Sequence, residues 1–194
     1  MKLHIACGTK KMDGWLNVDI AEAVQPDMVM DVLKFPWPFD DNSVDEILAN
    51  HFVEHIGDEF CDFFNECYRV LRHGGTMQIN GPYWSSIRCW QDPTHRRALS
   101  ERLYMYLDPM VRKQWGVAHY PLTCNFQIDA ITYLMDDEYE GKPREQCEWA
   151  RKHLLNSVAD INATIRAVKE QECSSDVLVT QDLEAIMSRT PRPV

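Results

Sequence analysis

The sequence predicts an α/β protein organised around a mostly parallel β-sheet, and three observations carry that expectation. Five short apolar runs, at residues 3–6, 16–20, 28–32, 44–49 and 76–79, alternate with turn signals and have the length of buried strands. Between the fourth and fifth runs, Phe60, Phe63, Phe64, Cys67, Val70 and Leu71 recur at helical spacing and mark an amphipathic helix. Gly74-Gly75 then stops that helix before the next strand, and a strand–helix–strand unit of this kind requires parallel pairing.

The composition bounds the rest. At 194 residues, with 45% hydrophobic and 26% charged residues, the chain suits one globular domain with a sizeable core. The longest apolar runs fall far short of the roughly twenty residues a membrane span needs. Residues 1–5 pass straight into a strand pattern without a signal-peptide core, so a soluble, cytoplasmic protein with no membrane partner is expected. Seven cysteines are scattered without a CxxC pair or a histidine at zinc-ligand spacing, so reduced thiols are expected and no metal. A formal charge of −10 disfavours nucleic acid as a partner, because that binding is driven by displacing counterions with Lys and Arg. Lys10-Lys11 and Arg96-Arg97 are short enough to be solvated surface. The oligomeric state is not legible.

Taken in order, the first connections are short. About ten residues separate the first strand from the second and fewer separate the second from the third, whereas a parallel crossover takes about a dozen or more. Loops or single helical turns are therefore expected on one face, leaving the site at this end open. After Pro82 comes an aromatic loop over residues 83–90, and Asp92-Pro93 has the chemistry to cap and open a helix reaching toward Leu107. A strand is expected around residues 124–134 and a helix over 145–156. From Ile161 to Ala167 the apolar period switches to two through Ala163 and Ile165, which predicts a closing strand; a helix continuing through Ile165 and Val168 is the alternative. Residues 171–194, ending Pro191-Arg192-Pro193-Val194, read as a short helix and a disordered tail.

The chemistry starts at Leu3-His4-Ile5-Ala6-Cys7-Gly8, followed by Asp13-Gly14-Trp15-Leu16-Asn17-Val18-Asp19. A strand ending in a small-residue turn lets a ligand approach the backbone, and an acidic residue at the tip of the next strand can take both hydroxyls of a ribose. By itself this segment is equally an ordinary strand–turn–strand with Asp19 as a turn residue. Three further segments follow in register: Asp31-Val32-Leu33-Lys34-Phe35-Pro36-Trp37, then Asp40-Asp41-Asn42-Ser43-Val44-Asp45-Glu46-Ile47 with Glu54-His55-Ile56, then Tyr68-Arg69-Val70-Leu71-Arg72-His73-Gly74-Gly75.

Together these motifs resemble the class I S-adenosylmethionine-dependent methyltransferases, in particular small members with a Gly-Cys-Gly turn, a Gly-Trp-x-Asn-Val-Asp second strand and an Arg-Val-Leu-x-x-Gly-Gly helix end. The resemblance covers about residues 2–82, with a looser likeness at Asp92-Pro93-Thr94-His95 and around Asn156. It implies a Rossmann-like, seven-stranded mixed sheet, parallel except at one edge, with shortened N-terminal helices. It also implies one domain over residues 1–194, with a cofactor-binding half at 1–82, a substrate-side half at 83–170 and a C-terminal tail at 171–194. The implied cofactor is S-adenosylmethionine, leaving S-adenosylhomocysteine as product. By the resemblance, backbone at Ala6, Cys7 and Gly8 lies against its methionine part, Asp19 holds the ribose, and Asp31 with the backbone of Val32 reads adenine. Asn50 and His51 fall beside the amino acid moiety and the transferred methyl.

Two departures qualify the match. Ala6 stands where the motif has its first glycine, which is tolerable at negative φ. Gly8 to Asp19 spans eleven positions instead of the roughly twenty of a dinucleotide fingerprint, which removes most of the first helix and its positive end. Carboxylate recognition is then expected from a side chain, with Lys10 or Lys11 as candidates.

Methyl transfer from a sulfonium chiefly needs alignment of the acceptor, plus a base when the acceptor must lose a proton. His51 and His95 are the candidate bases, because imidazole titrates near neutral pH. Tyr83, Trp84 and Trp90 can wall an acceptor pocket, or pack in the core. Glu54-His55-Ile56 reads mainly as the orienter of the following helix. Asn80-Gly81-Pro82-Tyr83 resembles the Asn-Pro-Pro-Tyr of amino-group DNA methyltransferases but follows the fifth strand instead of the fourth. The expected function is methyl transfer to a small or medium-sized acceptor. The alternatives are a non-catalytic binding or regulatory protein of the same fold, a same-fold enzyme with lyase or aminopropyl-transfer chemistry, and a nucleic-acid methyltransferase.

Overall fold

The computed structural model describes residues 1–169, and the expected C-terminal helix and tail lie outside the described residues. Seven strands form one sheet: β1 (Lys2–Ile5), β2 (Leu16–Asp19), β3 (Met28–Val29), β4 (Val44–Asn50), β5 (Leu71–Pro82), β6 (Phe126–Met135) and β7 (Val158–Ala167). Their order is β3-β2-β1-β4-β5-β7-β6. The first five pair in parallel, and β7 runs antiparallel to both β5 and β6. The order reverses between β1 and β4, and open α/β sheets bind ligands outside the carboxyl ends of their strands at such a switch.

The short early connections hold. No helix follows β1, and a single 3₁₀ turn, Glu22–Val24, connects β2 to β3. Side-chain hydrogen bonds replace the missing helix. The Asn17 amide oxygen faces His4 Nδ1 at 3.2 Å and accepts from the Met12 N–H at 2.8 Å, while its Nδ2 donates to Asp27 at 2.7 Å. The Asn17 backbone N–H donates to the same carboxylate and, with the side-chain amide, holds Asp27 below the usual carboxylate range. β3 is shorter than its apolar run predicted. Beyond Val29 the chain turns, because the Asp31 carboxylate accepts the N–H of Leu33.

Helix α1 (Phe60–Val70) buries Phe60, Phe63, Phe64, Cys67 and Val70 as its spacing requires. Phe63 meets Trp37, Phe52 and Phe64 edge-on or tilted, at ring separations of 6.0, 5.6 and 5.2 Å. Arg69 clamps the preceding segment to this helix by donating to Glu66, Asp41 and the carbonyls of Trp37 and Phe39. The glycines act differently from expectation. The helix ends at Val70 and Leu71 already opens β5. Gly75 is needed where the chain passes β4, since a Cβ there would lie 3.1 Å from the carbonyl oxygen of Asp45.

Helix α2 (Ile87–Gln91) is capped by Ser86, whose hydroxyl accepts the N–H of Arg88. Asp92-Pro93 does not open the expected helix. Asp92 spends its side chain on the N–H and hydroxyl of Thr94, and the N–H groups of Arg96 and Arg97 both go to the carbonyl of Glu54. Those donors are tied to the 3₁₀ turn Val53–His55 that follows β4, so helix resumes only at α3 (Glu101–Met105), followed by α4 (Pro109–Gln114). The helix expected over residues 145–156 is α5 (Arg144–His153). The period-two segment is β7, paired on both sides, and the helical alternative does not form.

Candidate active site

The crevice at the switch point is lined first by backbone. Ala6 has φ 49° and Gly8 φ 52°, so the alanine departs from the expected negative φ and holds a left-handed conformation that costs an L-residue about 1–2 kcal/mol. The Cys7 N–H donates to the carbonyl of Val18 at 3.0 Å, which fixes the turn to β2. A Cβ built on Gly8 meets nothing within 4 Å, so the turn faces open space that a ligand can enter. Asp19 stands at the tip of β2, its Oδ2 accepting the Gly8 N–H at 2.8 Å and its Oδ1 accepting the Ala21 N–H at 2.9 Å. Each oxygen keeps a second lone pair, so the carboxylate both builds the turn and remains able to accept hydroxyl donors. Lys11 donates to the Gln25 carbonyl at 2.7 Å, and Lys10 is exposed. Asp31 follows β3 in its own turn, and the carbonyl of buried Val32 accepts the Trp37 indole N–H at 3.1 Å.

The middle of the crevice is built from side chains at the ends of β4, β5 and β7. Asn50 and Asn80 are cross-strand partners and bond through their amides at 3.2 Å. His51, with φ 52°, donates its N–H to the Asn80 carbonyl at 2.8 Å. Its Nδ1 lies 3.4 Å from Glu54 Oε1 and its Nε2 3.8 Å from Asp160 Oδ2. The Glu54 contact pushes the His51 pKa above the usual imidazole value, with Asp160 adding to it against the opposing effect of burial. Both carboxylates are buried, and Glu54 Oε2 and Asp160 Oδ1 have no hydrogen-bond partner. Arg88 Nη1 reaches Asp160 Oδ2 at 3.0 Å. Gly81 is a close approach in this cluster: a Cβ there would sit 2.5 Å from Leu99 and 2.9 Å from Glu54 Oε2. The Asn80-Gly81-Pro82 sequence thus reflects packing at the end of β5.

His95, the second candidate base, is fixed by contacts of its own. Its Nδ1 donates to the Cys89 carbonyl at 2.9 Å, and its ring packs edge-on against His55 at 4.7 Å. Tyr83 is buried, and its hydroxyl donates to Glu101 at 2.9 Å. Tyr133 donates to the same oxygen, and Arg151 reaches it at 3.0 Å while lying over the Tyr133 ring. Burial, then Glu101, pushes the Tyr133 pKa above the phenol range, so it stays a donor. Beside this network a cavity of about 580 Å³ is lined by Tyr83, Trp84, Ser100, Arg102 and Arg151 among others. Trp90 does not join it; two-thirds exposed, it donates its indole N–H to the carbonyl of Trp84 at 3.1 Å.

Sequence reasoning missed Asp160, Arg88, Glu101, Tyr133 and Arg151. Only Asp160 left a trace, as an acid inside the apolar run Val158-Ala159-Asp160-Ile161 that opens the closing strand.

Residues 3–79 match the family model Methyltransf_11, described as a methyltransferase domain. Solved structures with the same fold include an S-adenosylmethionine-dependent methyltransferase from Archaeoglobus fulgidus, 19% identical, covering 85% of each chain at a TM-score of 0.58. One from Methanosarcina mazei is 14% identical, covering 87% of this chain and 92% of its own at a TM-score of 0.55. The [4+2]-cyclase SpnF is 13% identical, covering 87% and 75% at a TM-score of 0.53. No curated protein sequence matches the chain. Residues 3–79 thus resemble a methyltransferase domain in sequence, and the described chain shares the fold of S-adenosylmethionine-dependent methyltransferases. Among the described residues no helix is long and apolar enough to cross a membrane.

Proposed function

We propose that the protein moves a methyl group from S-adenosylmethionine to a small or medium-sized acceptor held between His51 and the cavity beside Trp84. The observation that carries this reading is the position of His51. It sits one residue past β4, the strand paired between β1 and β5, with a carboxylate facing each ring nitrogen. The cofactor supplies the electrophilic methyl.

The chain's own groups bind and orient. Backbone at Ala6, Cys7 and Gly8 receives the methionine portion, and Asp19 accepts the ribose hydroxyls with its remaining lone pairs. Asp31 and the N–H of Val32 face adenine, the Val32 carbonyl being engaged by Trp37. Asn50 is held by Asn80 at the edge of the amino acid portion. His51 takes the acceptor's proton, and Glu54 and Asp160 stabilise the resulting imidazolium. Trp84, Ser100 and Arg102 offer an apolar face and polar anchors to the acceptor. A small-molecule acceptor fits the net charge of −10 better than a nucleic acid does.

Calorimetry with S-adenosylmethionine and S-adenosylhomocysteine tests the cofactor half; an intact fold that binds neither would refute it. Release of S-adenosylhomocysteine across a panel of hydroxyl, amine and carboxylate acceptors then tests transfer. In an acceptor-dependent assay His51→Gln keeps cofactor binding and loses at least about 100-fold in turnover, the scale of a removed general base. Unchanged turnover removes His51 from this role.

A further inference from the structure

We propose that Glu54, His55 and His95 form a binding site for a divalent transition-metal cation of the zinc class. The expectation of no metal rested on the cysteines; the donors that converge here come from the 3₁₀ turn Val53–His55 after β4 and from the loop after α2. One ligand atom from each of the three residues lies within 4.8 Å of the others. A tetrahedral ion with bonds of about 2.1 Å sets its ligands about 3.4 Å apart, so modest side-chain rotation closes the set.

Hydrogen bonding assigns both imidazoles the tautomer such a site needs. His95 Nδ1 faces the Cys89 carbonyl, which can only accept, so the proton is on Nδ1 and the lone pair on Nε2. His55 Nδ1 lies 3.0 Å from the Thr94 hydroxyl, whose own proton is donated to Asp92 at 2.6 Å, so the hydroxyl accepts from Nδ1–H. Metal-bound histidines are oriented in this way, the far ring N–H anchored to a carbonyl or a carboxylate-linked group.

The third donor is independent of that network. Glu54 is 1% exposed, and its Oε2 has no hydrogen-bond partner. Its backbone carbonyl is pinned by the N–H groups of Arg96 and Arg97. The Arg97 guanidinium is turned away, donating to the Gly57 carbonyl and lying 4.1 Å over the Phe60 ring. A buried carboxylate oxygen left unpaired is costly, and packing of two histidine rings does nothing to relieve it, whereas a bound cation does. Two neutral imidazoles and one carboxylate are the ligand type of zinc and ferrous sites with open positions; magnesium and calcium prefer all-oxygen shells. A cation here would join the acceptor-side loop to the end of β4 and fix the carboxylate that faces His51.

Metal binding is read without turnover, so its failure is distinct from failure of the methyl-transfer reading. The full chain, stripped by chelator, is titrated with Zn²⁺ by calorimetry and with Co²⁺ by visible absorption. One equivalent is expected to bind, with d–d bands and no thiolate-to-cobalt charge transfer. His55→Asn and His95→Asn each weaken binding at least tenfold, while His119→Asn, an exposed histidine elsewhere, leaves it unchanged. In the wild-type chain Zn²⁺ also slows carbethoxylation of His55 and His95, mapped by mass spectrometry; this readout needs no variant to fold. Absence of binding, a thiolate signature, or unprotected His55 and His95 overturns the proposal.

Discussion

The two flanks of the sheet build their surfaces by opposite means. On the β1–β2–β3 side the crevice is made of backbone: a left-handed turn at Ala6 and Gly8, closed by Asp19, with Asn17 in place of a helix. On the β5–β7–β6 side it is made of side chains from distant segments, with Tyr83, Tyr133 and Arg151 converging on Glu101 and Arg88 meeting His51 across Asp160. A ligand shared by a whole class of proteins can be met by local turns, which short motifs encode. The groups on the other flank meet only through long-range packing.

The contrast can be broken from the side-chain flank first. Glu101→Ala leaves the mostly buried Arg151 without its carboxylate and two tyrosine hydroxyls without their acceptor. Denaturant unfolding should register a loss of about 3–5 kcal/mol, with cofactor affinity preserved in the folded fraction; a parallel loss of affinity would show the flanks to be one unit. Asp19→Ala is the converse, lowering S-adenosylmethionine affinity by about 1–3 kcal/mol in calorimetry while leaving the acceptor-side network intact.

Smaller effects sharpen the backbone half. Ala6→Gly relieves the left-handed φ of 49°, and after the entropy a glycine adds to the unfolded chain it should raise stability by up to about 1 kcal/mol. The least of these effects is a pH dependence at His4. Burial lowers its pKa below 6.5, opposed by the Asn17 hydrogen bond, so the unfolded chain binds the proton more readily. Its contribution is therefore complete above the unfolded value and is lost as pH falls through 6.5 toward the folded value. Unfolding curves between pH 7.5 and 5, at about half-unit steps, should be flatter for His4→Gln than for the wild type; identical slopes would exclude His4 as the source.

Several readings depended on whether the decisive contact was local. The amphipathic spacing of Phe60, Phe63, Phe64 and Cys67 and the alternation through Ala163 and Ile165 were legible because each element buries one face with its own period. Asp92-Pro93 misled because its cap chemistry is real, but Glu54 captures the next backbone donors from another segment. Trp84 and Trp90 looked equivalent, and only packing put one on a cavity and the other in solvent.

By itself the sequence determined the parallel first half of the sheet, the helix between β4 and β5, and the small-residue turn after β1 with Asp19 at the tip of β2, because these follow from periodicity and from neighbours within a few residues. The antiparallel insertion of β7 between β5 and β6, predicted only as an edge, brings Asp160 to Pro82 and so to His51. That meeting, the Glu101 network and the Glu54–His55–His95 set were decided by tertiary structure alone. Apart from the adjacent pair Glu54-His55, their members come from separate segments of the chain, and no local pattern encodes which of many polar side chains will share a low-dielectric space.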